Sequence, residues 1–267
     1  MKREFLKYQG RWLVECLDLS EFLDVPERRC PYQSSEDGSQ SFTGSASYAE
    51  AETILREGWP AGAERARALS ASLSAETAEA DRTERPAPVW DVAGDDADVE
   101  RFLLGEPESM IAWQPETVPA SGRVVRVVLE GAVNCDVKES DLAVAGVLTA
   151  AAVDALEARG VRAEVWVAYP TKIPAGVVEV RHRLKAAEEP LDLPRVVAGM
   201  HPSAFRRVAF RWYENQPDLP GGYGVDVETI RAEGDLIFPA GKIGKMPEAE
   251  RLPWLRKQAE AVFGIAA

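Results

Sequence analysis

Residues 123–167 decide the fold class of this chain, and they read RVVRVVLEGAVNCDVKESDLAVAGVLTAAAVDALEARGVRAEVWV. The first part, Arg123–Leu129, is rich in valine and predicts a buried strand. A helix is predicted next, because apolar residues then recur at intervals of three and four: Val144, Val147, Leu148, Ala151, Ala152, Ala155 and Leu156. Gly160 is placed to end this helix, and Val161–Val167 alternates as a second strand. This order predicts two parallel strands joined by a crossover helix.

The rest of the C-terminal part continues to alternate between strands and helices. A turn at 174–176 predicts a hairpin with a third strand over Val177–Leu184. The further elements predicted are, in chain order, helices over Leu193–Met200 and Pro202–Tyr213, a strand over Leu236–Phe238, and a helix from Pro253 to Phe263. Residues 121–267 are therefore expected to form a three-layer α/β domain with a mixed sheet.

Residues 1–120 are expected to form a separate, acidic and mainly helical region. An amphipathic helix is predicted near residues 11–24, and Ser47 begins a second helix with a capping box that includes Glu50. The other elements predicted here are, in chain order, an alanine-rich helix over Ala63–Ala80, a flexible acidic connector near 81–98, and a short helix over Val99–Leu104.

The charge of the chain is acidic and unevenly distributed. It has 31 Lys and Arg residues against 44 Asp and Glu residues, a formal net charge of −13. Residues 1–120 hold 12 basic and 24 acidic residues, whereas residues 121–267 hold 19 and 20. Because attraction to phosphate supplies most non-specific affinity for nucleic acid, direct nucleic-acid binding is expected to be weak or absent. A surface of one sign keeps a chain in solution or favours a basic protein partner.

Composition also limits the kinds of site that the chain can hold. No apolar run reaches the roughly 20 residues that a membrane span requires, so no membrane partner is expected. The N-terminus carries alternating charge rather than an apolar signal core, which predicts a cytoplasmic location. With three widely spaced cysteines and two histidines, the chain is expected to have neither a disulfide framework nor a zinc site, and no cofactor is predicted. The histidines, His182 and His201, are expected to be solvated or to cap a helix.

The order of strand, helix and hairpin from residue 123 onward resembles the order in von Willebrand factor A domains. In those domains an Asp-x-Ser-x-Ser motif at the end of the first strand coordinates a divalent metal ion. Here Glu130, Ala132 and Asn134 stand at the positions of the motif. Because Ala132 has no oxygen to offer a metal ion, the resemblance implies the topology without the metal chemistry.

An enzyme remains the alternative from a different class of function. The loop at 134–141 follows the first predicted strand, and open α/β sheets bind ligands at the carboxyl ends of their strands. Asp136, Glu139 and Asp141 in this loop could hold a metal ion for chemistry on a nucleotide or a nucleic acid.

Three stretches resemble uncharacterised proteins of phages, prophages and plasmids in high-GC bacteria. They are Phe42–Ala51 leading to the Gly-Trp-Pro-Ala-Gly run at 58–62, then Val99–Met110, and Gly160–Trp166 with the strand and helix before it. The resemblance implies a mobile-element setting and brings no catalytic residues with it.

The leading hypothesis is a non-enzymatic accessory protein of a phage or mobile element, which binds another phage-encoded or host-encoded protein. One version is a regulator that docks on a DNA-bound recombinase and redirects it, as recombination directionality factors do. The absence of an assembled catalytic motif favours this hypothesis over an enzyme, and so do four tryptophans that lie beside prolines or in predicted loops: Trp59, Trp90, Trp113 and Trp254. The predicted contact residues are Trp59, Leu69, Leu73, Arg206, Arg207 and Arg211. The basic strip over 181–211 has two interpretations: it contacts nucleic acid or an acidic protein surface, or it is solvated or docks on the acidic half of the same chain.

Overall fold

The computed structural model describes residues 6–8, 11–23, 34–76, 82–119, 124–173, 176–215, 227–229 and 236–263. The strands are β1 (Leu6–Tyr8), β2 (Arg11–Cys16), β3 (Arg82–Asp91), β4 (Asp96–Ala97), β5 (Met110–Pro119), β6 (Val124–Glu130), β7 (Arg162–Ile173), β8 (Gly176–Lys185) and β9 (Leu236–Pro239). The helices are α1 (Leu19–Leu23), α2 (Ser34–Asp37), α3 (Gln40–Thr43), α4 (Tyr48–Glu57), α5 (Pro60–Glu76), α6 (Val99–Leu103), α7 (Glu139–Ala158), α8 (Leu193–Gly199), α9 (Phe210–Glu214), α10 (Ala240–Ile243) and α11 (Glu248–Phe263). A π-helical segment, Ala204–Ala209, leads directly into α9. None of the helices described is both long enough and apolar enough to cross a membrane.

A mixed sheet forms the centre of the fold, with its strands in the order β1-β2-β8-β7-β6-β9. β6 runs parallel to both β7 and β9, whereas β8 runs antiparallel to β7 and parallel to β2. The parallel pairing of β6 and β7, which are joined by α7, confirms the crossover predicted from residues 123–167. The hairpin of β7 and β8 is confirmed as well. The chain therefore has the predicted α/β fold with a mixed sheet.

The main hydrophobic core lies between one face of this sheet and the helices. Val127 and Leu129 of β6 belong to that core, whereas Val128 between them joins Trp166 and Ala168 in a second, smaller cluster. Because successive side chains of a strand point to opposite faces, the second cluster lies on the other side of the sheet. Helices α7 and α8 pack on the sheet, and α5 packs on α7 and α8. Sheet, inner helices and outer helices thus form three successive layers.

The helix predicted near 11–24 is wrong, because residues 11–16 form strand β2. This strand pairs in parallel with β8, up to Cys16 opposite His182, and only Leu19–Leu23 is helical. The apolar spacing of so short a stretch fits both structures, so tertiary context decides between them. Here the edge of β8 offers unpaired backbone groups, and β2 satisfies them.

A second sheet, of β3, β5 and β4, is formed by residues 82–119, where the connector near 81–98 was expected. β3 and β5 pair antiparallel over their whole lengths, and β4 pairs with the start of β5. The prolines typical of a connector, Pro86 and Pro88, lie on β3 at the edge of this sheet, where proline is tolerated. Residues 82–119 are called the hairpin segment from here on.

The structure also differs from the expected division at residue 120. Strands β1 and β2 precede that position, yet they belong to the same sheet as β6–β9. Helix α5 likewise packs on α7, which follows it. The first 120 residues therefore contribute two strands and the outer helices to one α/β body. They also contain the hairpin segment.

Candidate protein-interaction site

The three predicted apolar contact residues pack inside the chain. Trp59, directly before α5, is half-buried, and its ring meets the ring of His201 edge-on at a centroid distance of 4.7 Å. Leu69 is half-buried and Leu73 is buried, and all three side chains pack against the main core. They hold the outer helices on the inner ones, so a partner could reach Leu73 only by opening this packing.

Arg207, which was predicted to contact a partner, is fully buried and hydrogen-bonded within the chain. Its Nε donates to the Ser45 hydroxyl at 2.9 Å, and its Nη2 donates to the carbonyl oxygens of Gly38 and Ser45 at 2.8 and 2.7 Å. Its Nη1 donates to the carbonyl oxygens of Ser35 and Glu36 at 2.8 and 3.1 Å. Every acceptor lies in residues 35–45, so this side chain fastens that segment to the π-helical segment.

Arg206 and Arg211 also contact side chains or carbonyl oxygens within residues 36–48, and Arg206 reaches Val137 as well. Arg206 lies 4.1 Å from the ring centroid of Phe42, and its Nη atoms donate to the carbonyl oxygens of Phe42 and Val137 at 2.7 and 2.6 Å. Burial lowers the pKa of its guanidinium to about 10. Arg211 forms an ion pair with Glu36 and lies over the ring of Tyr48. The contacts of these three arginines agree with the interpretation in which the basic strip docks on the first half of the same chain.

The loop at 134–141 does not gather its carboxylates into one site. Asp136 forms an ion pair with Lys245 at 3.3 Å across the carboxyl ends of β6 and β9. Among the residues that the structure describes, which include this whole loop, no group of three or more His, Cys, Asp or Glu side chains is arranged to hold a metal ion.

Glu130, at the carboxyl end of β6, is engaged in a buried network. Its carboxylate accepts a hydrogen bond from the Thr229 amide at 2.7 Å, and the Thr229 hydroxyl donates to Glu179 at 2.7 Å. Glu179 also pairs with Arg181. All four side chains are buried, so the network links β6 and β8 to residues 227–229.

The hairpin segment carries most of the exposed apolar surface. Of the ten large hydrophobic side chains that are exposed among the described residues, eight lie in it: Val89, Trp90, Val92, Val99, Phe102, Leu103, Leu104 and Trp113. The exposed fractions of Phe102 and Leu103 reach 68% and 77%, and no residue of α6 is buried. This concentration of exposed apolar side chains on one segment makes it a candidate interaction site, because large exposed apolar patches of folded proteins mark such sites.

One face of the two-stranded part combines tryptophan and proline. Trp90 pairs across the strands with Ile111, Pro88 with Trp113, and Pro86 with a further proline of β5. Directly paired residues, and residues two apart along a strand, point to the same face of a sheet. The two exposed indole rings therefore share a face with the prolines, which adds rigid surface at little cost in side-chain entropy.

Helix α6 is fixed to this face by Trp90. The Trp90 indole N–H donates to the Asp98 carboxylate at 3.0 Å, and the Arg101 guanidinium lies 5.0 Å from the Trp90 ring centroid. Asp98 caps α6 by accepting from the Arg101 amide at 3.1 Å, and Arg101 pairs with Glu106 at 2.5 Å. The bonds from Trp90 and from the Arg101 amide lower the pKa of the Asp98 carboxyl. These contacts hold the exposed side chains of α6, among them Phe102, in a defined arrangement.

The outer edge of β3 is unsuited to pairing with a strand of another protein. Pro86 lies opposite Pro115, and neither has an N–H, so this pair cannot be of the hydrogen-bonded type. The N–H positions of Pro86 and Pro88 therefore point outward, where a partner strand would need donors that proline lacks. Contact through side chains is the mode of binding that this geometry allows.

Unpaired negative charge lies on the same segment as these apolar side chains, the hairpin segment. The segment contains nine acidic and three basic residues. In the part of the chain that the structure describes, four of its exposed carboxylates have no hydrogen-bond or ion-pair partner: Asp95, Asp96, Glu100 and Glu108. Since Arg101 is engaged by Glu106 and Trp90, the charge left free around α6 is negative.

A family model described as "Domain of unknown function (DUF7192)" matches residues 5–263. The chain belongs to this family. The match spans both the hairpin segment and the central sheet, so both are parts of the DUF7192 domain. No curated protein and no solved structure matches the chain.

The hairpin segment of this DUF7192 domain was not among the contact residues predicted from the sequence. Trp90 and Trp113 were expected to lie in loops, and 99–104 was expected only to be a short helix. Two signals could have indicated the site. Tryptophan and proline alternate at 86–90 and 113–115, and Phe102–Leu104 is a run of three apolar residues that a short helix cannot bury on one face.

Proposed function

We propose that this protein is a non-enzymatic accessory protein that acts by binding another protein through the hairpin segment. The concentration of exposed apolar side chains on this one segment carries the proposal. An isolated patch of tryptophan, phenylalanine and leucine has a free-energy cost in water that a bound partner removes. Aromatic side chains also dominate the energetically important centres of protein interfaces.

The setting of the proposal comes from the sequence. The resemblance to proteins of phages, prophages and plasmids supports a mobile-element protein, and the few, scattered cysteines support work in the cytoplasm. A regulator that docks on a DNA-bound recombinase and redirects it is one concrete form of the proposal. In that form the partner would contact DNA, because the acidic hairpin segment repels phosphate.

The proposal is tested by weakening the apolar surface without unfolding the chain. The double variant Phe102→Ser/Leu103→Ser removes two exposed side chains, so its stability should change by less than about 0.5 kcal/mol per site. Leu17→Ser is the matched control, since Leu17 is an exposed leucine outside the hairpin segment. The tagged chain is used to recover a stoichiometric partner from the host, and the purified partner is then titrated calorimetrically.

The double variant should bind the purified partner at least about tenfold more weakly than the unaltered chain, whereas Leu17→Ser should bind equally well. Equal affinity of all three proteins would show that the hairpin segment is not the contact surface. Failure of the unaltered chain to retain any stoichiometric partner would contradict the proposed function itself.

A further inference from the structure

We infer that the hairpin segment binds a protein surface whose apolar centre is bordered by lysine and arginine side chains, an inference that rests on the proposed function and specifies its partner. Phe102, Leu103 and Leu104 supply an apolar centre, and Trp90 and Trp113 lie exposed on the same segment. An apolar centre with a polar rim is the usual anatomy of a protein interface. The sign of the charge on the polar rim then determines which charge a partner surface must carry.

The rim of the hairpin segment is negative for a structural reason. Asp98 is occupied by the Trp90 indole and the Arg101 amide, and Glu106 is occupied by the Arg101 guanidinium. The remaining carboxylates, Asp95, Asp96, Glu100 and Glu108, are exposed and have no partner in the described part of the chain. A basic surface would pair with them and would be steered toward them before contact.

The same charge argues against the other occupants of an apolar surface. A second copy would bring two negative hairpin segments together, within a chain whose net charge is already −13. Nucleic acid and anionic lipid surfaces would be repelled in the same way. The prolines at 86 and 88 exclude strand addition at the β3 edge, so the contact is made by side chains.

The inference is tested on the full chain with defined probes. The probe is a synthetic helical peptide that carries a leucine stripe flanked by lysines, and its controls are identical peptides flanked by glutamates or by glutamines. The charge variant is Asp95→Asn/Asp96→Asn/Glu100→Gln/Glu108→Gln. Its matched control neutralises four exposed acidic residues elsewhere, as Glu57→Gln/Glu64→Gln/Glu188→Gln/Glu250→Gln, so that net charge and local charge are separated.

The lysine peptide should bind the unaltered chain and the matched control with equal affinity. It should bind the charge variant about tenfold more weakly, and the loss is no larger because each exposed ion pair contributes only a small amount of binding free energy. Raising the salt concentration about tenfold should also weaken binding, since it shortens the screening length about threefold. Phe102→Ser/Leu103→Ser should abolish binding.

Three results with the peptides would overturn the inference. The first is that the lysine peptide does not bind at concentrations up to about 1 mM, which is the weak end of specific association. The second is that the glutamate peptide binds equally well. The third is that both sets of neutralised residues weaken binding equally. Self-association lost in Phe102→Ser/Leu103→Ser would assign the surface to a second copy. Flotation with vesicles of phosphatidylcholine and phosphatidylglycerol would assign it to a membrane. If a host partner needs Phe102 and Leu103 but not the four carboxylates, the proposed function stands and the charge inference falls.

Discussion

His182 offers a sharp test of the interior of this fold. It lies on β8 and is fully buried, stacked against Phe22 at a centroid distance of 4.4 Å and against Tyr169 at 5.6 Å. Neither ring nitrogen has a hydrogen-bond partner among the residues that the structure describes. Burial lowers its pKa to about 3, so the ring is neutral in the folded protein. The expectation that this histidine is solvated or caps a helix is therefore wrong.

The direction of the resulting pH dependence follows from the two pKa values. The folded pKa of about 3 lies below the unfolded value of 6.5, so the unfolded chain takes up the proton first as the pH falls. The stability that depends on the neutral ring of His182 is therefore present above about pH 6.5 and is lost progressively between pH 6.5 and pH 3. Between pH 7 and pH 5 the linkage relation gives a loss of about 2 kcal/mol from this one side chain.

The variant His182→Phe keeps a planar ring in the stack and removes both the unsatisfied nitrogens and the titration. At pH 7 this variant should stabilise the fold by about 1 kcal/mol. Removing an unsatisfied buried polar group gains roughly 1–3 kcal/mol, and the tighter packing of the slightly larger phenyl ring offsets part of that gain. At pH 5 the advantage should grow to about 3 kcal/mol as the proton-linked loss disappears. Urea unfolding at pH 7, 6 and 5 measures both quantities.

His201, the other histidine of the chain, gives the matched control. Burial lowers its pKa to about 4, so His201→Phe should remove a similar pH-dependent loss. Its Nδ1 lies 2.8 Å from the Ser203 hydroxyl, however, so the same variant should destabilise the fold at pH 7 by about 1–3 kcal/mol. If the unaltered chain and His182→Phe lose stability in parallel from pH 7 to pH 5, the ring of His182 is not held neutral and the reasoning fails.

Two further predictions concern an arginine and the cysteines. Arg207→Lys should destabilise the fold by about 3–5 kcal/mol in urea unfolding, because an ammonium cannot reach the carbonyl oxygens that the guanidinium joins, whereas Arg195→Lys at an exposed site should change stability by less than about 0.5 kcal/mol. Comparable losses in the two variants would contradict the role given to Arg207. Iodoacetamide should modify exposed Cys135 in the native protein and buried Cys16 only after unfolding, as peptide mass mapping would show; equal native rates would place Cys16 at the surface.

The parts of the fold that sequence predicts well are those whose signal is local. Residues 123–167 contain a whole strand–helix–strand unit, so hydrophobic periodicity was sufficient there. The capping box was predicted for the same reason, and the Ser47 hydroxyl does accept the Glu50 amide at 3.1 Å. The Glu50 carboxylate, however, accepts from the Ala46 amide rather than from that of Ser47. Short β2 was missed because its partner, β8, lies far away in sequence.

The contacts of Arg206 and Arg207 could not be predicted, because the sequence shows the charge of a side chain but not which backbone carbonyl oxygens will face it. Arg206 and Arg207 are satisfied mainly by carbonyl oxygens of residues 35–45 and of Val137, and nothing in the residue types at those positions indicates this. The strands of the hairpin segment could not be predicted for a related reason, since proline is typical of both connectors and edge strands. Pairing across the strands, which sequence does not display, was needed to recognise its exposed face.

The arginine contacts also explain why the first half of the chain stays acidic. Arg206 and Arg207 fasten residues 35–45 to the π-helical segment through carbonyl oxygens, a hydroxyl and a phenyl ring rather than through carboxylates. Of the three arginines, Arg211 is the one that pairs with a carboxylate there, that of Glu36. Much of the remaining negative charge lies on the hairpin segment, beside side chains that are apolar and exposed. Clustered like charges repel one another and exposed apolar surface orders water, so each feature alone opposes the stability of the isolated chain. A basic, apolar partner surface would relieve both at once, which is the physical reason to expect these two features at one site.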